Sequence, residues 1–154
     1  MTAAVVIGLG NTFRRDDGVG PAVVAAVDAM RLPGVRVACA AEMTVLLDAW
    51  DSAALAVVVD AAVGATPGSV RRCELAELGG ETPVSSHGFS LTQTYELAHA
   101  LGRAPVRLVV VSVGVADTGH GAGLSPAVEA ALPEAARVVR RAIEQAEETG
   151  HQQP

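Results

Sequence analysis

Aromatic residues are nearly missing from this chain: two Phe, one Trp and one Tyr among 154 residues. A core without large rings is filled by close backbone approach and aliphatic packing, and half of the residues are apolar, mostly small Ala and Val. Cysteine is as scarce. Cys39 and Cys73 stand alone with no C-x-x-C spacing, so zinc and thioredoxin-type readings lack support and both are expected as reduced core or edge residues. Positive charge is in deficit, with 11 Lys and Arg against 17 Asp and Glu, a formal charge of -6. A nucleic-acid footprint needs clustered cations. The Arg pairs at 14–15, 71–72 and 140–141 are instead dispersed, as on a solvated surface, and no nucleic-acid partner is expected. No apolar run reaches the roughly 18 residues of a membrane span. The opening MTAAVVIGLG lacks a basic n-region and ends too early in a glycine loop to be a signal peptide. A cytoplasmic protein without a membrane partner follows as the expectation. Outside the buried strands no heptad or long apolar edge pattern is present, which suggests a monomer.

What is present is an alternation of strand and helix. Short β-branched runs at Ala3–Gly8, Val35–Ala40, Ala54–Ala61 and Val106–Val115 read as buried strands, with Ser69–Glu74 as a further strand at an edge. Helical stretches lie at about Val19–Met30, Thr44–Trp50, Ser90–Leu101 and Pro126–Glu148. Pro21 fits the first turn of its helix, and Thr44 and Ser125 are candidate N-caps. Continuous hydrophobic strands alternating with helices specify a mostly parallel sheet covered on both faces, in a single domain over 1–148 with a frayed tail at 149–154. In such sheets ligands gather beyond the carboxyl ends of the strands. The loops there hold Asp16 and Asp17, Asp60, Ser85 to Gly88, and Asp117 to Gly123.

The loop after the first strand, GLGNTFRRDDGVG (Gly8–Gly20), resembles a phosphate cradle only in part. A dinucleotide fingerprint needs a third glycine where Phe13 stands, and a Walker loop needs a Gly-Lys-Ser/Thr that is missing. Two acids also repel a pyrophosphate at a helix N-terminus. Capping and the helix dipole account for one acid of the pair and leave the other spare. Asp60 ends a VVV run, where open solvent is hard to reach; a turn or cap partner is its bland alternative. His87 sits in a loop before a helix, where capping or a surface position is the alternative. Two carboxylates and one imidazole from three strand-end loops make an O,O,N set that suits a divalent transition metal with open positions. His99 reads as an exposed or packed helix residue, and His120 lies in a glycine-rich loop able to reach the same face. The GFS triplet at 88–90 is no nucleophile elbow, because Thr92 occupies the place of the second glycine.

GLGNTFRRDDGVG, VVVDA, SSHG and GAGLSPAVEAAL, in that order, resemble the hydrogenase maturation endopeptidases, from about residue 4 to residue 140. The shared pattern is G-x-G-N, four residues, an acid pair, then x-x-G. The resemblance implies a three-layer α/β/α fold with a twisted, mostly parallel five-stranded sheet. It also implies an endopeptidase that removes the C-terminal extension of a nickel–iron hydrogenase large-subunit precursor after nickel insertion. Nickel in the substrate is the implied recognition element. The implied ligands, and with them the catalytic residues, are Asp17, Asp60 and His87. The metal arrives with the nickel-loaded precursor, and no resident cofactor is expected.

One departure stands out. Many relatives carry a D-G-G-T-like loop after the second strand, where this chain has Ala40-Ala41-Glu42-Met43-Thr44. That change leaves the hydrogenase class open, and Glu42 is a possible extra carboxylate with no assigned role. Two alternatives stand beside the peptidase: a non-catalytic nickel- or metal-binding maturation module, and a peptidyl-tRNA hydrolase, whose G-L-G-N opening is shared. Against the latter, Thr12-Phe13 replace Pro-Gly, and the acid pair stands where a histidine-asparagine pair belongs.

Overall fold

The computed structural model describes residues 4–42, 44–51, 53–74 and 88–152. Strand β1 (Ala4–Leu9) leads through a 3-10 turn (Arg15–Gly18) into α1 (Val19–Ala29). Then come β2 (Val35–Ala40), α2 (Thr44–Trp50), β3 (Leu55–Ala62), β4 (Val70–Glu74) and α3 (Gly88–Ala100). β5 (Arg107–Gly114), α4 (Pro126–Ala130) and α5 (Leu132–Gln152) complete the chain. The five strands are ordered β2-β1-β3-β5-β4. All neighbours are parallel except β4, which runs antiparallel to β5 at one edge. The strand expected at 69–74 is therefore an edge strand. Cys39 on β2 and Cys73 on β4 are free thiols on opposite edges of the sheet.

Alternate strand residues point to opposite faces, and here both faces are apolar. Val6, Val57, Val59, Val109 and Val111 meet Val19, Val23 and Val27 of α1 and Val139 and Ile143 of α5. Val5, Ile7, Ala56, Val58 and Val110 meet Leu46 and Trp50 of α2 and Leu91 and Ala98 of α3. The result is a three-layer α/β/α sandwich. Each fully buried Val contributes about 1.5–3 kcal/mol, so a valine-rich sheet offsets the shortage of rings. Trp50 meets Tyr95 edge-on with ring centroids 6.2 Å apart.

Close approach does the rest. A Cβ on Gly20 would lie 2.5 Å from the Leu9 carbonyl oxygen and 2.6 Å from that of Val59. Only glycine lets the first turn of α1 sit directly on the carboxyl ends of β1 and β3. Those two strands flank the switch point of the sheet. The chain passes from β1 through α1 to β2 on one side, then through α2 to β3 on the other.

The structure corrects three expectations. The helix expected over Pro126–Glu148 is two helices, α4 and α5, that meet at Ala131. Pro133 has no N–H to continue the ladder toward Glu129 and so forces a fresh helical start. α5 then ends at Gln152 rather than at Glu148. β3 does not end in Asp60: the pairing with β5 continues through Ala62↔Gly114, and Asp60 lies inside the ladder opposite Ser112.

Gly20→Ala is expected to lower stability by about 1–3 kcal/mol through overpacking. Urea unfolding followed by the fluorescence of the single Trp, buried Trp50, measures it. An unchanged midpoint would contradict the close seating of α1 on the strand ends.

Candidate active site

The loop between β1 and α1 is built by its small residues. Gly10 has φ +139, and a Cβ there would overlap the Asp17 carbonyl oxygen. Asn11 then closes an Asx turn: its Oδ1 accepts the Phe13 N–H at 2.9 Å and its carbonyl accepts the Arg14 N–H at 3.0 Å. The Asn11 N–H points inward and donates to Asp17 Oδ2 at 2.8 Å. Arg15 adopts φ 48, a left-handed conformation uncommon for a non-glycine residue. At that point exposure changes abruptly: residues 11–15 are exposed and 16–20 are buried.

The two adjacent acids are buried, and they do different work. Asp16 is 0% exposed. Its Oδ1 accepts the Ser125 N–H at 2.6 Å, and its Oδ2 accepts the N–H groups of Ala116 and Asp117, both at 2.9 Å, and the Ser125 hydroxyl at 2.7 Å. Burial pushes this carboxyl up, but the donors from Ser125, Asp117 and Ala116 outweigh it and hold the group below its ordinary value of 3.8. Asp16 thus staples the loop after β5 to the loop after β1. Neither acid caps α1, whose N-cap is Gly18 without a side-chain bond. Ser125 occupies the N-cap place of α4 as expected, yet makes no side-chain cap bond to that helix; its hydroxyl goes to Asp16 instead. The hydroxyl is the donor in this charge-assisted bond, whereas a cap would use its oxygen as acceptor.

Asp17 is the spare acid. It retains 4% exposure, and among the described residues the Asn11 amide on Oδ2 is its one hydrogen bond. Its 3-10 turn packs against β3, the strand that carries Asp60. Asp60 is fully buried, and its Oδ1 accepts the Ala61 N–H at 2.8 Å. By alternation with Ala56 and Val58 it faces the α2–α3 side of the sheet. His87 lies outside the described residues, directly before the first residue of α3, Gly88. Among the described residues no three His, Cys, Asp or Glu side chains form a metal-binding group. The structure therefore places Asp17 and Asp60 on packed neighbouring elements at the switch point.

Glu42 is exposed at the turn into α2, and His120 is exposed in the loop after β5, where its carbonyl accepts a bond from Arg15 Nε at 3.3 Å. His99 is exposed beside Tyr95, with ring centroids 6.3 Å apart. The 14–15 arginine pair is on the surface as expected but tethered: Arg14 Nε donates to the Thr118 carbonyl at 3.2 Å, and Arg15 pairs with Asp117 at 3.6 Å. Sequence reasoning missed the Asp16–Ser125 link, which spans 109 positions. It also missed the role of Asn11, although the Gly-Asn pair was a turn signal in plain view.

A model of the hydrogenase maturation protease family (HycI) matches residues 40–142. Solved structures extend the likeness over the opening loop. A solution structure of an endopeptidase from Escherichia coli superposes with a TM-score of 0.80 at 24% identity, over 94% of this chain and 93% of the other. The hydrogenase maturating endopeptidase HybD from E. coli gives 0.77 at 23%, over 94% and 93%. The [NiFe] hydrogenase maturation protease HybD from Thermococcus kodakarensis gives 0.74 at 21%, over 92% and 99%. No curated protein sequence matches significantly. Fold and site together define a three-layer α/β protein with a carboxylate pair at the switch point of its sheet. The chain belongs to the hydrogenase maturation protease family, and it is a peptidase acting in hydrogenase maturation. That membership takes the place of the peptidyl-tRNA hydrolase alternative.

Asp16→Asn is expected to cost about 3 kcal/mol at neutral pH, because an amide nitrogen would face donors. The folded value of Asp16 is depressed, so its contribution is present above 3.8 and is lost as pH falls through the lower folded value. Urea titrations of both proteins across pH should show the gap closing below pH 3.8. A gap that stays constant into strong acid would mean that the carboxylate charge is not what the loop amides bind.

Proposed function

We propose that this peptidase removes the C-terminal extension of a nickel–iron hydrogenase large-subunit precursor after nickel insertion, and that the precursor's own nickel is the recognition element. The observation that carries the reading is Asp17. It is a buried carboxylate, oriented through one oxygen by a backbone amide, whose Oδ1 accepts no hydrogen bond among the described residues. A group held this way is set up to bind something that arrives. The motif order in the sequence supports Asp60 and His87 as its partners, and the packing of the Asp17 turn on β3 supports the first pairing.

Two carboxylates and an imidazole suit a divalent transition ion and leave coordination positions open for ligands of the precursor. The ion supplies the positive charge that buried carboxylates favour, and it can polarise a carbonyl or lower the pKa of a water. Because the ion belongs to the substrate, an unloaded precursor lacks the contact that anchors it. Cleavage is thereby tied to completed metal insertion. The protein itself contributes aim and shelter: Asn11 directs Asp17, the β3–β5 ladder holds Asp60, and the Asp16 staple keeps the surrounding loops closed. The proposal places this processing in the cytoplasm, with a monomer as the working form and no resident cofactor.

Intact-mass spectrometry of a large-subunit precursor, incubated with the protein with and without nickel, tests the reading. Loss of one C-terminal peptide from the loaded form alone is the expected result. Asp17→Asn, Asp60→Asn and His87→Ala should each slow processing by at least about 100-fold, the upper end of what losing even an outer partner of a metal ligand costs. Equal cleavage of unloaded precursor would remove nickel as the recognition element. Tight nickel binding by the protein alone, without cleavage, would favour the binding-module alternative.

A further inference from the structure

The exposed part of the loop before the acid pair holds one aromatic residue. Phe13 is 76% exposed in a chain that has only two Phe. Four residues before Asp17, its ring is left in water while its backbone is held on both sides. Its N–H donates to Asn11 Oδ1 at 2.9 Å, and its carbonyl accepts the Gly121 N–H at 2.9 Å. The next residues extend this zipper: Arg15 N–H donates to the Gly121 carbonyl at 3.0 Å and Asp16 N–H to the Asp117 carbonyl at 2.9 Å. The left-handed φ of Arg15 turns the acids inward and leaves Phe13 outward. Uncommon backbone conformations held by surrounding bonds cluster at functional loops.

A second apolar side chain shares this end of the sheet. Val63 is 52% exposed and follows directly on β3, three residues after Asp60. β1 and β3 are parallel, so the loops after them emerge at one end. Asp17 thus has an exposed apolar residue on its own loop, and Asp60 has one just past the end of its strand. Beside Phe13, Arg14 is exposed and tethered to the Thr118 carbonyl, and among the described residues it has no carboxylate partner. Arg15, in contrast, is paired with Asp117.

We infer that Phe13 is a substrate-anchoring residue. Resting on the proposed function, it takes an apolar side chain of the precursor polypeptide close to the bond to be cut, while Arg14 faces a carboxylate of the same segment. Any polypeptide that reaches Asp17 must approach the loop on which Phe13 stands. Aromatic and Arg side chains dominate binding hot spots, and a pre-ordered loop loses little entropy when it docks. The acidic balance of the rest of the chain, -6 overall, makes an unpaired cation at this rim a mark for an acidic group on the partner.

Steady-state processing of loaded precursor by wild type and Phe13→Ala tests this. KM is expected to rise by about 10- to 30-fold, the range of a hot-spot side chain, with the effect on KM rather than on kcat and unchanged thermal unfolding. Arg14→Gln should raise KM less, with a smaller salt dependence than wild type. Val106→Ala, exposed before the amino end of β5, should change nothing. An unchanged KM in Phe13→Ala overturns the inference. So does a wild-type dimer that becomes a monomer in Phe13→Ala by sedimentation, since the ring would then cover a second copy. If wild type fails to cut, binding of the immobilised precursor replaces KM. Loss of binding in Phe13→Ala would keep the anchor while the proposed cleavage falls, and no binding by wild type would remove both.

Discussion

One buried carboxylate ties together the loops at the carboxyl end of the sheet. Asp16 collects four hydrogen bonds from the segment 116–125, all between 2.6 and 2.9 Å. Loops after parallel strands have no ladder of their own, and their backbone amides must be satisfied by something. Here a single acid satisfies three amides and a hydroxyl, and in doing so it joins the exit of β1 to the exit of β5 across the intervening β3. The ion pair between Arg15 and Asp117 adds little, being half exposed at both ends. The order comes from charge-assisted bonds to backbone in a place that water does not reach.

The staple also explains how two neighbouring acids come to have separate roles. A buried pair of identical groups pointing one way would repel itself. The left-handed turn at Arg15 and the 3-10 turn after it send Asp16 toward the β5 loop and Asp17 toward the switch point. With Asp16 fully used, Asp17 is left with a single amide on Oδ2 among the described residues. The glycines of the loop serve the same end: Gly10 admits the Asp17 backbone and Gly20 admits the first turn of α1, each to within a distance that no side chain would allow. The motif is thus a packing device before it is a chemical one.

The alternation of strands and helices was legible in the residues because valine runs are long and the breaks between them carry Gly and Pro. Strand and helix ends moved by only a residue or two, apart from the last helix. Where a boundary failed, a local competitor explains it, as with Pro133 inside the last helix. Asp17 and Asp60 were expected as acids at strand ends; the structure puts Asp60 inside the β3–β5 ladder, and the turn that carries Asp17 packs on β3. The residues alone did not separate Asp16 from Asp17, since both sit before a helix and both fit a cap; only the family resemblance pointed to Asp17. The partner that distinguishes them, Ser125, is remote in sequence and looked like an ordinary cap itself.

The sequence by itself determined the layered fold, through hydrophobic strands that need cover on both faces, and marked acids in the loop after the first strand and near the end of the third as candidates. Both are short-range properties of pattern and composition. The tertiary structure alone decided which acid is bound by the loop after β5, which way Asp60 faces, and which of Arg14 and Arg15 meets a carboxylate among the described residues. Those outcomes depend on which loops meet across the end of the sheet. Such meetings are set by strand order, which lets residues a hundred positions apart compete for the same hydrogen bonds.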